Sequence, residues 1–244
     1  MTAEATSGKS LFEITPDGLV SPLTLVLVRH GVTDMTASHA LSGSSQEGPP
    51  LNSQGRIQAA KAADAVYRIG RRSWERVPQV TRVLASPMAR TQETAAAIGR
   101  RIGAHVETEV RVREIDFGEW EGLSADEIED HEGEALHRWM SGEIPAPGGE
   151  AIPQVGARFD EFLVEAAADH ARQCAEGKDV PRAWAVTSHA VAIKSAVALS
   201  LGVPADSWMH LWPSPASITL LQLRVLPDGT ISSRHVLAIG VPTD

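Results

Sequence analysis

One pattern constrains this chain more than any other: a short apolar run, a polar turn carrying an arginine or histidine, then a helix-like segment, three times over. Residues 23–28 (LTLVLV) form a β-branched, nearly continuous apolar run that stops at Arg29-His30-Gly31 and reads as a strand buried on both faces. A second strand is expected over 79–85, ending at Ser86-Pro87 before an Ala-rich helix over 88–102 closed by Gly103. A third runs over 182–187, ends in Ser188-His189 and leads to a helix over 190–201 with Gly202 behind it. Buried strands alternating with helices imply an α/β fold, a three-layer α/β/α sandwich with a mostly parallel central sheet. Ligands of open α/β sheets bind outside the carboxyl ends of the strands, where all three turns fall.

The remaining segments fill in that frame. A polar loop over 34–50 precedes a helix over 53–69, with Ile57, Ala60, Val66 and Ile69 expected on its inner side. Residues 122–142 read as one or two short helices, opened by a capping box of Ser124 and Glu127 with Leu123 and Ile128 as its staple, so Glu127 is structural. A longer helix over 153–175 carries Val155, Phe159, Phe162, Leu163 and Ala166 as a packing stripe. Two closing strands, 217–225 and 231–239, are joined by the turn Pro227-Asp228-Gly229. Trp120, Trp139, Met140, Trp208 and Trp212 suit either a substrate pocket or the core.

The 244 residues fit one domain, 23–244, large enough to need no disulfide or metal staple. The polar leader, 1–22, is expected to be disordered, and the lone Cys174 to be an inert thiol. The leader has no signal-like apolar run and no stretch has the ~18 apolar residues of a membrane span, so a cytoplasmic protein is expected. A net charge of −9 argues against nucleic acid or an anionic membrane as partner. A small anionic molecule would then have to be held by a local basic cluster; a homodimer stays open.

That cluster is visible at the strand exits. Arg29-His30-Gly31 places a fixed cation beside a titratable nucleophile, with a glycine that lets backbone approach a ligand. Arg90 falls in the first turn of its helix, where a basic side chain opposes the macrodipole and stability alone does not call for it. His189 stands in the same relation to the next helix. Three adjacent strand ends would thus converge two arginines and two histidines on one phosphate. A neutral imidazole is a good nucleophile near pH 7, and rigid guanidinium donors suit charge spread over three equatorial oxygens. No metal or other cofactor is implied: His131 and His137 lie on different helix faces and there is no cysteine pair.

The ordered set Arg29-His30-Gly31, the SPxxRxxxTA segment over 86–95, EIDFGEWEG over 114–122, Pro147-Gly148-Gly149-Glu150 and Ser188-His189 resembles the signature of the histidine phosphatases, the phosphoglycerate-mutase-like superfamily. The resemblance implies that His30 attacks phosphorus, that Arg29, Arg90 and His189 cradle the phosphoryl oxygens, and that Glu114 protonates the leaving group. Spacing alone does not choose Glu114 over Asp116, Glu119 or Glu121. It also implies a substrate-binding set of Arg29, Thr33, Thr36, Arg90, His189 and Glu150. Thr36 stands where the family usually has asparagine, Ala190 where it has glycine and Ala151 where it has serine; Thr36 is expected to act as a shorter hydroxyl substitute. Dedicated mutases of the family read ERHYG where this chain reads EIDFGEWEG, which is the phosphatase-like form. The segment 188–194 and the loop Leu41-Ser42-Gly43 are similar to the α-ribazole phosphatase and acid phosphatase branch. The expected function is therefore a metal-independent phosphomonoesterase for a small phosphorylated metabolite. The alternatives are a phosphoglycerate mutase and a catalytically inactive binder of phosphorylated ligands.

Overall fold

The computed structural model describes residues 18–45 and 47–243. In chain order they form β1 (Leu23–Arg29), a single turn α1 (Asp34–Ala37), α2 (Ser53–Arg68), β2 (Val80–Ala85), α3 (Ala89–Ile102), β3 (Val106–Thr108), α4 (Ala125–Met140), α5 (Ile152–Glu176), β4 (Arg182–Ser188), α6 (Ala190–Ser200), β5 (Ile218–Val225) and β6 (Ile231–Val241). One six-stranded sheet has the order β3-β2-β4-β1-β5-β6. The four strands from β3 to β1 are parallel, and β5 runs antiparallel to both its neighbours.

The alternation of the strands sorts their side chains into two cores. Leu23, Leu25 and Leu27 of β1 join Trp184, Val186, Leu221 and Leu223 on the face covered by α4, α5 and α6. Val26 and Val28 join Ala183, Ala185, Ile218 and Leu220 on the face covered by α2 and α3. With both faces dry, the central strands read as continuous apolar runs, and the expected three-layer arrangement follows. The stripe expected on the long helix, from Val155 to Ala166, is buried throughout in α5. Trp120, Trp139 and Trp208 are core residues, whereas Met140 and Trp212 are exposed.

Three local expectations are corrected or completed. The inner face of α2 is Gly55, Ala59, Ala62, Ala63 and Val66, while Ile57 and Ala60 face solvent. The cause is the close seat of α2 on the turn after β1: a Cβ on Gly31 would come within 2.5 Å of the Gly55 carbonyl, so small residues must face the sheet. The short edge strand β3 was not anticipated; it pairs with Val83, Leu84 and Ala85 of β2. The expected capping box is present, Glu127 Oε2 accepting from Ser124 N–H at 2.7 Å. At α5, Ala151 has no hydroxyl to give, and only the return half of such a box remains, Gln154 Oε1 accepting from Ala151 N–H.

Of the expected leader, residues 1–17 lie outside the described residues. Residues 18–22 lie against the sheet end: Val20 N–H donates to Val225 O, and Ser21 N–H to the Asp179 carboxylate. Cys174 is buried in the same region, where Arg182 donates to its Sγ and burial pushes the thiol pKa up.

Candidate active site

Sheet register brings the three strand exits level. Arg29 pairs with Ser188 and Ala85 with Thr187, and the ladder continues one step further through His30 N–H to Ser188 O and Ser86 N–H to Thr187 O, both 3.0 Å. His30, Ser86 and His189 therefore leave three neighbouring strands at one height. The His30 and His189 rings sit 5.1 Å apart between centroids, inclined at 63°.

His30 is almost fully buried, and its Nδ1 lies 2.7 Å from the carbonyl of Gly31. A carbonyl can only accept, so Nδ1 carries the ring proton and Nε2 keeps its lone pair. Burial first, then the Arg90 and Arg29 guanidinium groups, hold His30 well below the ordinary imidazole range, which keeps the ring neutral and nucleophilic near pH 7. His189, at the N-cap of α6, is held low by burial, Arg90 and His30 in turn; its Nε2 lies 2.7 Å from Ser86 Oγ.

The two arginines are anchored by backbone carbonyls and keep other buried donors unpaired. Arg90 is 1% exposed and donates through one terminal nitrogen to the carbonyls of Ser42 and Gly43. Arg29 donates to Pro213 O at 2.9 Å. Buried without a hydrogen-bond partner among the described residues are Nε of Arg29, Nε and the other terminal nitrogen of Arg90, and Nδ1 of His189. Buried N–H groups are almost always paired, so guanidinium donors of Arg29 and Arg90 left unpartnered in a buried site suit an anion by chemistry. Lys194 adds a further buried cation from α6, its Nζ donating to Met209 O beneath the exposed Trp212 ring.

Glu114 meets this cluster from the loop after β3. Its Oε1 accepts from the N–H groups of Ile115 and Ala192, and its Oε2 from that of Val191, so the carboxylate rests on the first turn of α6. Its main chain is held separately. Arg158, on the buried stripe of α5, donates to the carbonyls of Arg111, Arg113 and Glu114 and to both oxygens of Glu150. Glu150 also pairs with Arg113 and accepts from Asp116 N–H.

The expected substrate-binding set is therefore divided. Of that set, Arg29, Arg90 and His189 converge on His30, with Glu114 beside them. The charge of Glu150 is turned instead toward Arg158 and Arg113, where it braces the Glu114 loop. Thr33 Oγ1 accepts from Thr36 N–H and lies 3.0 Å from Thr36 Oγ1, so this pair caps the short α1 turn. Asp116 accepts from Gly118 N–H, and Glu121 clamps Gly43 N–H and Ser45 Oγ, holding the loop that meets Arg90. A cavity of about 150 Å³ lined by Met35, Ser42, Gly43, Gly48, Glu121 and Gly122 adjoins that loop. Sequence reasoning did not single out Arg158, although a charged residue inside an apolar helical stripe is a signal for it, nor did it give Ser86 a role.

Among the described residues no group of three or more His, Cys, Asp or Glu side chains is placed to hold a metal ion. The family model of the histidine phosphatase superfamily (branch 1) matches residues 25–226. A bifunctional protein of Mycobacterium tuberculosis is 30% identical over 223 residues, which are 90% of this chain and 55% of that protein; the chain thus spans about half the length of the first curated relatives it matches. A glucosyl-3-phosphoglycerate phosphatase of M. tuberculosis is 31% identical over 189 residues, 77% of this chain and 79% of the relative. A probable phosphoglycerate mutase of an Enterobacter species is 29% identical over 210 residues, 84% of this chain and 87% of the relative. The solved native structure of mycobacterial glucosyl-3-phosphoglycerate phosphatase has 26% identity and a TM-score of 0.74, covering 90% of this chain and 99% of that one. With the family model matched across both cores and every strand exit that builds the cluster, the chain belongs to the histidine phosphatase superfamily, branch 1.

Proposed function

We propose that the protein is a metal-independent phosphomonoesterase that acts on a small phosphorylated metabolite through a phosphohistidine on His30. The observation that carries this reading is the neutral His30, with Nε2 left unprotonated by the Nδ1–H bond to Gly31 O, packed against the His189 ring and close to the guanidinium groups of Arg29 and Arg90, which keep buried donors unpaired. In the first step Nε2 attacks phosphorus, the bond to the ester oxygen breaks, and Glu114, entering the cycle as the carboxylic acid, delivers its proton to the departing oxygen. In the second, water attacks the phosphohistidine and loses its proton to the same carboxylate, while the arginines hold the equatorial oxygens in both. Relatives named as a glucosyl-3-phosphoglycerate phosphatase and a probable phosphoglycerate mutase favour a phosphorylated metabolite as substrate. Among the described residues no helix is long and apolar enough to cross a membrane, and the reading takes the protein to be cytoplasmic, with no nucleic-acid partner.

A mutase is the second reading, favoured by the probable phosphoglycerate mutase among the relatives. A panel of phosphomonoesters and phosphoglycerates incubated in excess EDTA separates the two: the phosphatase releases inorganic phosphate, whereas a mutase returns the phosphoryl group to another hydroxyl. Rapid acid-free quench should trap an acid-labile phosphoenzyme that His30→Ala lacks. Complete loss of activity on chelation, restored by a divalent ion, or a stable label on serine or cysteine, would overturn the proposal.

A further inference from the structure

Ser86 belongs to the segment that carries Arg90, yet among the described residues its side chain bonds neither arginine nor His30. It is fully buried and fixed on every side: its N–H donates to Thr187 O, and its carbonyl accepts from Thr91 Oγ1 and the Gln92 amide. The hydroxyl accepts from Met88 N–H at a long 3.5 Å and lies 2.7 Å from Nε2 of His189. Among the described residues Nε2 is the only acceptor within reach of the hydroxyl's own hydrogen, since its other partner, Met88 N–H, is itself a donor.

A neutral imidazole has one ring proton, and its position decides what the other nitrogen offers. We propose that Ser86 is a positioning residue that donates to Nε2 of His189 and so holds the ring as its Nδ1–H tautomer, making the buried, otherwise unpartnered Nδ1–H a donor to a phosphoryl oxygen. In the opposite tautomer Nε2–H would donate to Ser86, and a lone pair on Nδ1 would face the anion. Burial and the nearby guanidinium groups keep His189 neutral, so a second ring proton does not resolve the conflict. The two histidines then divide the work by tautomer. His30 presents a lone pair because Gly31 O accepts from its Nδ1–H, and His189 presents an Nδ1–H because Ser86 Oγ donates to its Nε2.

The role of Nδ1–H rests on the phosphatase reading, but the tautomer can be read in the resting protein. Ring nitrogen and proton shifts of His189, identified by their loss in His189→Gln, should show the Nδ1–H form in the full chain. Ser86→Ala, which removes a single oxygen, should shift the ring toward Nε2–H or a mixture. It should also weaken inhibition by inorganic phosphate about tenfold or more, as expected for a lost hydrogen bond to a charged group. Ser86→Thr keeps the hydroxyl and should retain both properties. A wild-type His189 found as Nε2–H, or a folded Ser86→Ala protein with unchanged phosphate inhibition, would overturn the proposal. Should Ser86→Ala fail to fold, the tautomer of wild type and of Ser86→Thr decides. A wild type that phosphate does not inhibit would sink the phosphatase reading alone, because the tautomer measurement needs no anion.

Discussion

Glu114→Gln tests proton donation to the leaving group, and the structure sets the size of its two effects. The substitution keeps the shape of the side chain and an oxygen that can still accept from Ile115 and Ala192 N–H. The new amide, however, must face Val191 N–H, donor against donor. One buried N–H left unsatisfied costs about 1–3 kcal/mol, which for a domain of this size lowers Tm by roughly 2–12 °C. The protein should therefore remain folded at 25 °C. A positioned general acid is worth ~10² to 10⁴ in rate, so single-turnover phosphorylation by a sugar or glycerol phosphate should fall by that factor. With p-nitrophenyl phosphate, whose phenolate leaves without a proton, the loss should be much smaller. Asp116→Asn and Glu121→Gln remove carboxylates committed to Gly118 and to the 43–45 loop, and Glu119→Gln removes an exposed one; none should depend on the leaving group. Equal slowing of both substrates by Glu114→Gln would refute the assignment and leave Glu114 as a support for the α6 terminus.

Glu150→Gln should destabilise the protein by about 3 kcal/mol in urea unfolding, because it strands Arg158 and Arg113 without their shared carboxylate; a change below about 1 kcal/mol would show that the brace is not what holds the loop. Stability should also depend on pH through His30, His170 and His189, all held below the ordinary imidazole value with burial as the first cause. Below about pH 6.5 the unfolded chain takes up protons that the native state refuses. Stability should thus be flat above that value and fall as pH drops, by up to about 1.4 kcal/mol per pH unit for each such histidine. His189→Gln should make the fall shallower, and an unchanged slope between about pH 6.5 and pH 5 would count against the buried neutral ring.

Much of this was legible in the chain itself, because local rules specify it. Apolar runs that stop at Arg29, Ser86 and His189 fix where strands end, Gly103 ends α3 in the left-handed conformation at φ 76°, and Ser124 with Glu127 caps α4 through neighbours three residues apart. Arg90 stood out since a cation in a first helical turn works against stability. What those rules miss depends on contacts between distant segments. The stripe of α2 was misplaced at Ile57 because hydropathy says nothing of a backbone pressed against Gly55 from the turn at Gly31. Val106–Thr108 became a strand because the edge of β2 was available to pair with it, and three residues carry no period of their own. Glu150 sits in a motif that suggested the substrate, and only the packing of α5 brings Arg158 to it. The sequence alone thus determined at which strand ends the arginines and histidines of the site would stand. Tertiary structure decided their protonation and partners, because tautomer, burial and unpaired donors are set by atoms brought together from β1, β2, β4 and α6, with no signature along the chain.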